Sequence, residues 1–148
     1  MKNCLNIVEC AIEHDGKFLI IKRPIDKDAG GLLAFPGGKV DAQDAADGRD
    51  ILKFAAKREV LEEVGIVLLD PLTYITSDFT DMYKAPLIIS IFHCMLEKTN
   101  PTVIPSAREV PEYYWMTPEE INQAQHSPDW LKKYVALIVC HQTSTSRC

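Results

Sequence analysis

Residues 51–64 run for fourteen positions without a glycine or a proline, and Gly65 follows them directly. Good helix formers closed by a glycine, which takes a left-handed φ without steric cost, predict a helix over Ile51–Val64. Asp47 or Asp50 can cap its start. The apolar segments around it are short and β-branched, so this helix must be inserted among strands rather than bundled with other helices. Leu5–Ile12, Phe18–Lys22 and Leu32–Phe35 precede it, and Ile66–Leu69, Leu72–Ile75, Leu87–Leu96 and Tyr113–Met116 follow. His14-Asp15-Gly16 is turn chemistry and joins the first two strands as a hairpin. Pro36-Gly37-Gly38 stops the third. Ser77–Ala85 and Glu97–Glu112 read as loops. Thr117-Pro118-Glu119-Glu120 marks a helix start, with an N-cap, a proline at the first position and a glutamate at the third. A last helix is expected from Pro128 to about Cys140, and Thr143–Cys148 as a loose polar tail. The expectation is one α+β domain over residues 1–142, with 143–148 as tail.

At 148 residues and 47% hydrophobic composition the chain can bury a proper core as a single domain. Its 16 Lys and Arg against 21 Asp and Glu leave a formal charge of −5. That balance argues against nucleic acid as a partner, which needs a basic surplus. No apolar run approaches a membrane span, and the first residues lack the apolar core of a signal peptide. Five cysteines, at 4, 10, 94, 140 and 148, form no CxxC pair, so neither a disulfide framework nor a zinc site is indicated. A soluble, cytoplasmic monomer or homodimer is expected.

The charge is concentrated. Between Asp41 and Glu63 seven acids (41, 44, 47, 50, 59, 62 and 63) face four bases (49, 53, 57 and 58), a local balance of −3. On a helix, Glu62 falls roughly 60° to one side of Glu59 and Glu63 roughly 40° to the other. Three carboxylates on one arc repel one another unless something neutralises them. Arg58 offsets part of that charge, and a divalent cation would offset more, since hard carboxylate oxygens are the donors Mg²⁺ and Mn²⁺ prefer. Ile51 and Ala55 lie on the same side as the glutamates and Lys53 and Lys57 lie opposite, so the carboxylates extend an inward-facing stripe. An EF-hand is excluded for the aspartates of the preceding loop. A frame with Gly48 at its sixth position puts Gln43, Ala45 and Phe54 where ligands are required.

Phe35-Pro36-Gly37-Gly38-Lys39-Val40, followed by Arg58-Glu59-Val60-Leu61-Glu62-Glu63-Val64-Gly65-Ile66, resembles the Nudix box, G-x5-E-x7-R-E-U-x-E-E-x-G-U with U a bulky aliphatic. The core of this pattern has roughly a 10⁻⁴ chance of arising in a chain this long. Arg23-Pro24 and Tyr113–Glu120 look like further landmarks of the family. The resemblance implies an α/β/α sandwich, with a mixed sheet and the box helix packed against it. Two departures stand out. Eight positions before Arg58, the family's first glutamate is Asp50, and eleven residues separate it from Gly38 where five are usual. Asp41, Asp44 or Asp47 could supply that carboxylate instead.

The resemblance further implies hydrolysis of a nucleoside diphosphate linked to another group. Glu59, Glu62 and Glu63, with the carbonyl near Gly38, would hold Mg²⁺ (or Mn²⁺), and Arg58 would orient the carboxylates. The general base would be Glu63 or a late-loop acid, with Glu109 ranked above Glu112. The run from Lys22 through Lys39 is similar to the MutT-type branch acting on nucleoside triphosphates, although Leu33-Ala34 replaces that branch's usual Trp-Glu. Arg23, Phe35, Phe79 and Tyr83 are the candidate contacts for a small nucleotide substrate. His93 and Trp115 are assigned to the core. A nucleotide-sugar, ADP-ribose or coenzyme A diphosphatase is the alternative enzyme. A non-catalytic nucleotide sensor is the alternative outside enzymes, disfavoured by the intact helix glutamates.

Overall fold

A computed structural model describes residues 3–97 and 99–146; Met1, Lys2, Lys98, Arg147 and Cys148 lie outside it. Seven strands and three α-helices follow in the order β1 (Leu5–His14), β2 (Lys17–Lys22), β3 (Leu33–Ala34), β4 (Gly37–Lys39), α1 (Ile51–Val64), β5 (Thr73–Thr80), β6 (Leu87–Met95), β7 (Glu112–Met116), α2 (Pro118–Gln123) and α3 (Asp129–Ser146). A 3₁₀ segment, Ala42–Gly48, precedes α1. The strands form one mixed sheet in the order β3-β2-β1-β6-β5, with β4 added to β1 and β7 to β2. β1 and β6 run parallel; the other pairings are antiparallel.

Alternation along β1 assigns the two faces of the sheet. Val8, Cys10 and Ile12 join Ala55, Ala56, Val60 and Val64 of α1 in one core. Ala11 joins Phe18, Ile20, Phe35 and Ile91 with Leu131, Tyr134, Val135 and Ile138 of α3 in the other. Helices therefore cover both faces, and the box helix packs on the first. β2 leaves β1 after the hairpin. The segment 33–39 fills the gap, pairing first with β2 and then with β1. That crossing brings Gly37 and Gly38 beneath the flank of α1.

Several local expectations are corrected. Ile66–Leu69 is not a strand. Ile66 and Leu68 are buried and Val67 and Leu69 exposed, so the alternation reports burial with no strand beside it. The loop expected from Ser77 starts only after Thr80, because Ser77–Thr80 pair with Leu87–Ser90. α3 continues to Ser146, so positions 143–146 of the expected tail are helical, and 147–148 lie outside the described residues. Cys10 and Cys94 are buried thiols, whereas Cys4 and Cys140 are exposed. His93 is buried and pairs through Nε2 with Glu13 Oε1 at 2.8 Å; Trp115 packs half-buried against the first core. Among the described residues no helix is long and apolar enough to cross a membrane.

Candidate functional site

Two caps fix α1 in place. Asp50 is the N-cap, its Oδ1 accepting from the Lys53 amide at 3.2 Å. Gly65 is the C-cap at φ 70°, and its amide donates to the Leu61 carbonyl. With Ala55, Ala56, Val60 and Val64 against the sheet, the glutamates fall along the edge of the buried stripe facing β4. Glu63 is buried at 6% exposure, and its Oε1 accepts from the Gly37 amide at 2.7 Å. Glu59 lies against Gly38 so closely that a Cβ there would overlap its carboxylate. Glycine at 38 is what lets the β4 backbone approach the acid. Glu62 is half-exposed, at 53% for its side chain.

Arg58 binds this arc to the preceding loop. Its Nε and Nη2 donate to Asp44 Oδ1 and Oδ2 at 2.8 and 2.9 Å. Nη1 donates to Glu59 Oε1 at 2.9 Å and reaches Glu62 Oε2 at 3.3 Å, and Nη2 also donates to the Lys39 carbonyl at 3.0 Å. Asp44 is fully buried and accepts from the Asp41 amide at 2.7 Å. The guanidinium beside it holds its carboxyl below the usual range. These contacts relocate the lengthened loop. Counted forward from Gly38, five residues lead to Asp44, so the six additional residues follow the arginine's partner rather than precede it. Asp50 caps the helix. Asp44, one of three aspartates considered from the sequence, meets Arg58.

The late loop is pinned to the end of α1. Ile104 and Ser106 amides donate to the Val64 and Glu63 carbonyls, each at 2.8 Å, and Val110 is buried beyond them. This brings Glu109, itself exposed, close enough for its charge to raise the pKa values of both Glu59 and Glu63. Burial is the larger cause in each, and it pushes Glu63 up to about 8 against the opposing Gly37 hydrogen bond. Glu112 is placed elsewhere: it lies on β7, 3.9 Å from Lys22 Nζ and bonded to the Tyr114 hydroxyl.

The donor set suits a hard divalent cation, which would relieve both the burial and the mutual repulsion of these acids. Among the described residues no three His, Cys, Asp or Glu side chains already converge as a metal cage. Glu63 Oε1 accepts from Gly37 and Glu59 Oε1 from Arg58, so chelation through these two atoms would compete with those hydrogen bonds.

The structure separates the four candidate substrate contacts. Arg23, at the end of β2, donates through Nε to the Asp28 carbonyl and lines a cavity of about 340 Å³ with Lys22, Arg108 and Pro111. Its charge acts on Glu63. Phe35 is a correction: it is buried at 2% against Phe18 and is a core side chain. Phe79 is 61% exposed on β5, with β1 and β6 between it and β4. Tyr83 sits in the loop beyond β5. Phe79 is therefore not brought to the glutamates. One residue escaped the sequence reading. Glu9 of β1 has an inaccessible Oε1 without a hydrogen-bond partner, and burial pushes its carboxyl up to about 7 against the opposing charge of Arg23. An acid inside an apolar strand was the available signal.

Comparison with known proteins follows the same lines. The family model described as NUDIX domain matches residues 6–138. Over 113 residues the chain is 31% identical to the 8-oxo-dGTP diphosphatase of Haemophilus influenzae, covering 76% of this chain and 75% of that protein. Over 62 residues it is 39% identical to the CTP pyrophosphohydrolase of Escherichia coli strain K12, a match spanning only 42% of either chain. The crystal structure of a MutT protein from Methanosarcina mazei superposes with a TM-score of 0.77 at 24% identity, covering 95% of this chain and 96% of that one.

Proposed function

From the premise that this chain belongs to the Nudix family, we propose that it is a metal-dependent pyrophosphohydrolase acting on a nucleoside triphosphate. The observation that supports this best is the Arg58 cluster. One guanidinium gathers Asp44, Glu59 and Glu62 beside a buried Glu63, and burial with mutual repulsion keeps Glu59 and Glu63 from ionising at their ordinary pKa. Glu59, Glu62 and Glu63, with the Gly38 carbonyl, are the residues that would hold Mg²⁺ or Mn²⁺. When bound, the cation screens the phosphate charge, polarises the phosphoryl oxygen and lowers the pKa of water.

The chain's own groups do the rest. Arg58 holds Glu59 and Glu62 in one orientation through its rigid fork. Gly37 fixes Glu63 from the opposite side. Glu109, on the pinned loop beside these acids, takes the proton of the attacking water. Arg23, Lys22 and Arg108 line the neighbouring cavity with Asp26 and Glu112, and the three cations outnumber the two acids where a phosphate chain would lie. The two relatives carry names for nucleoside triphosphate chemistry, which supports this substrate class over a nucleotide sugar. A nucleotide substrate and the free thiols of the four cysteines among the described residues suit the cytoplasm.

The test is phosphate and pyrophosphate release from canonical and oxidised nucleoside triphosphates, nucleotide sugars, ADP-ribose and coenzyme A, with and without Mg²⁺. Metal-dependent turnover of triphosphates is expected. Turnover confined to the other compounds refutes the substrate class, and no turnover at all refutes the catalytic reading.

A further inference from the structure

Arg108 and Glu109 are consecutive on one short turn, and they serve different surroundings. Ser106 anchors the turn at its start, its amide donating to the Glu63 carbonyl at 2.8 Å. Val110 closes it, with its amide donating to the Ser106 carbonyl at 2.8 Å and its side chain buried. The Glu109 amide donates to the same carbonyl at 3.2 Å. The backbone between these anchors is therefore held against the C-terminal end of α1. Glu109 acts electrostatically on Glu59 and Glu63. Arg108 instead lines the cavity of about 340 Å³, together with Pro24, Ile25 and Asp26 of the loop that follows β2.

The cations of this cavity are not equivalent. Lys22 pairs with Glu112 at 3.9 Å, and Arg23 commits its Nε to the Asp28 carbonyl at 2.6 Å. Arg108 is exposed and, among the described residues, its side chain has no ion-pair partner. With Lys22 and Glu112 offsetting each other, Arg23 and Arg108 face Asp26, which leaves one positive charge in excess. An arginine on an unanchored loop is an ordinary solvated charge. Here the turn is pinned at both ends and the guanidinium borders a concave site. Its planar fork matches phosphate oxygens two at a time.

Resting on the nucleoside triphosphate reading above, we infer that Arg108 is a specificity-determining residue that recognises the terminal phosphoryl group and so selects triphosphates over diphosphates. A terminal phosphoryl carries close to two negative charges and three acceptor oxygens, whereas an inner one carries a single charge. It is therefore the part of the chain that gains most from a guanidinium. A diphosphate, one phosphoryl shorter, engages the acids of α1 and leaves Arg108 in water. Glu109 belongs to the same turn, so a phosphoryl group held by Arg108 also steadies the proposed base. The benefit of the third phosphoryl then falls on kcat as well as on KM.

The experiment measures kcat and KM with Mg²⁺ for CTP against CDP and GTP against GDP, on the full chain, Arg108→Ala, Arg108→Lys and Lys27→Ala. Lys27 is an exposed cation on the facing loop that does not line the cavity, so it controls for the loss of a charge. Thermal melting and calorimetric binding of inorganic pyrophosphate without metal are recorded on the same samples. The wild type is expected to prefer triphosphates. Arg108→Ala narrows that preference by at least about tenfold, the low end of a charge-assisted hydrogen bond. It weakens pyrophosphate binding by a similar factor and melts with the wild type, as suits an exposed side chain. Arg108→Lys, a point charge without the fork, keeps part of the preference. Lys27→Ala keeps it within about twofold. No triphosphate preference in the wild type, equal losses on tri- and diphosphates in Arg108→Ala, or an effect as large in Lys27→Ala overturns the assignment. Turnover with a preference unchanged in Arg108→Ala refutes Arg108 alone. Pyrophosphate binding that depends on Arg108, without turnover of any nucleotide, refutes the hydrolase reading alone.

Discussion

Replacing Asp44 by asparagine removes one charge and almost no volume, and it isolates what the loop contributes to the site. The carboxylate is fully buried and accepts three hydrogen bonds, two from Arg58 at 2.8 and 2.9 Å and one from the Asp41 amide at 2.7 Å. Breaking a buried pair by removing one partner costs about 3–5 kcal/mol. Here the Arg58 side chain is 26% exposed and keeps Glu59 and the Lys39 carbonyl, so the loss should fall lower. An expected cost of about 2–3 kcal/mol follows, since charge-assisted bonds contribute roughly 1.5–3 kcal/mol. For a chain of this size that lowers the melting temperature by roughly 4–12 °C. The pH dependence has a defined sign. Arg58 holds the Asp44 pKa below its ordinary 3.8, so the stabilisation is present above that value and is lost as the pH falls below it. The melting difference between wild type and Asp44→Asn should therefore be full at pH 7 and shrink below about pH 4. Calorimetric melts across that range, with the helix-cap variant Asp50→Ala as reference, provide the measurement. The cap variant should cost about 1 kcal/mol. If Asp44→Asn costs no more than that, or if the difference is constant with pH, the ion pair does not organise the site.

Three further substitutions separate chemistry from packing. Glu62→Gln, at a half-exposed position, should lower kcat with Mg²⁺ by about a hundredfold and move stability by less than about 0.5 kcal/mol; unchanged kcat removes Glu62 from the machinery. Glu63 is raised to about 8 in the folded protein, so the unfolded chain releases that proton first and stability falls as pH rises from 4.5 toward 8. Glu63→Gln should accordingly melt higher than wild type at pH 8 without metal, the gap closing near pH 5, and Mg²⁺ should raise the wild-type melting temperature alone. The reverse pH trend in paired melts would show that burial does not govern this acid. Phe35→Ala should cost about 3–5 kcal/mol through its cavity, seen as a lower urea midpoint; a change in KM at unaltered stability would return Phe35 to the substrate.

Legibility from the sequence followed the range of the interaction. The helix over Ile51–Val64 was readable because its determinants are local: no breaker inside, Asp50 before it and Gly65 after it. The hairpin of β1 and β2 was readable for the same reason. Ile66–Leu69 misled because alternation measures which side chains are covered, and pairing requires a neighbouring strand that no local pattern specifies. The three glutamates could be placed on one arc by helical period alone, but whether that arc met Gly37 and Gly38 depended on the crossing of segment 33–39 between β2 and β1. Phe35 and Phe79 are chemically identical, and only their surroundings make one core and the other exposed. Glu9 was passed over because a single acid in a strand is as often solvated as not, and its sealed oxygen is a property of the assembled sheet.

The lengthened loop shows why the site tolerates a change that the motif spacing seems to forbid. Between Asp44 and Arg58 lie thirteen residues where the consensus has seven. Nearly doubling a loop costs only about 0.6 kcal/mol in closure entropy, less than the Asp44–Arg58 pair contributes by the reasoning above. The chain leading into the insertion is ordered, since Asp41 and Asp44 form a reciprocal cap at the start of the 3₁₀ segment. That cap orients Asp44 before the insertion begins. Residues added after position 44 can then lengthen the path to α1 without moving the carboxylate away from the guanidinium. An insertion of the same length between Gly38 and Asp44 would separate the cap from β4 and leave Arg58 without its buried partner. The position of the extra residues, rather than their number, is what the ion pair constrains.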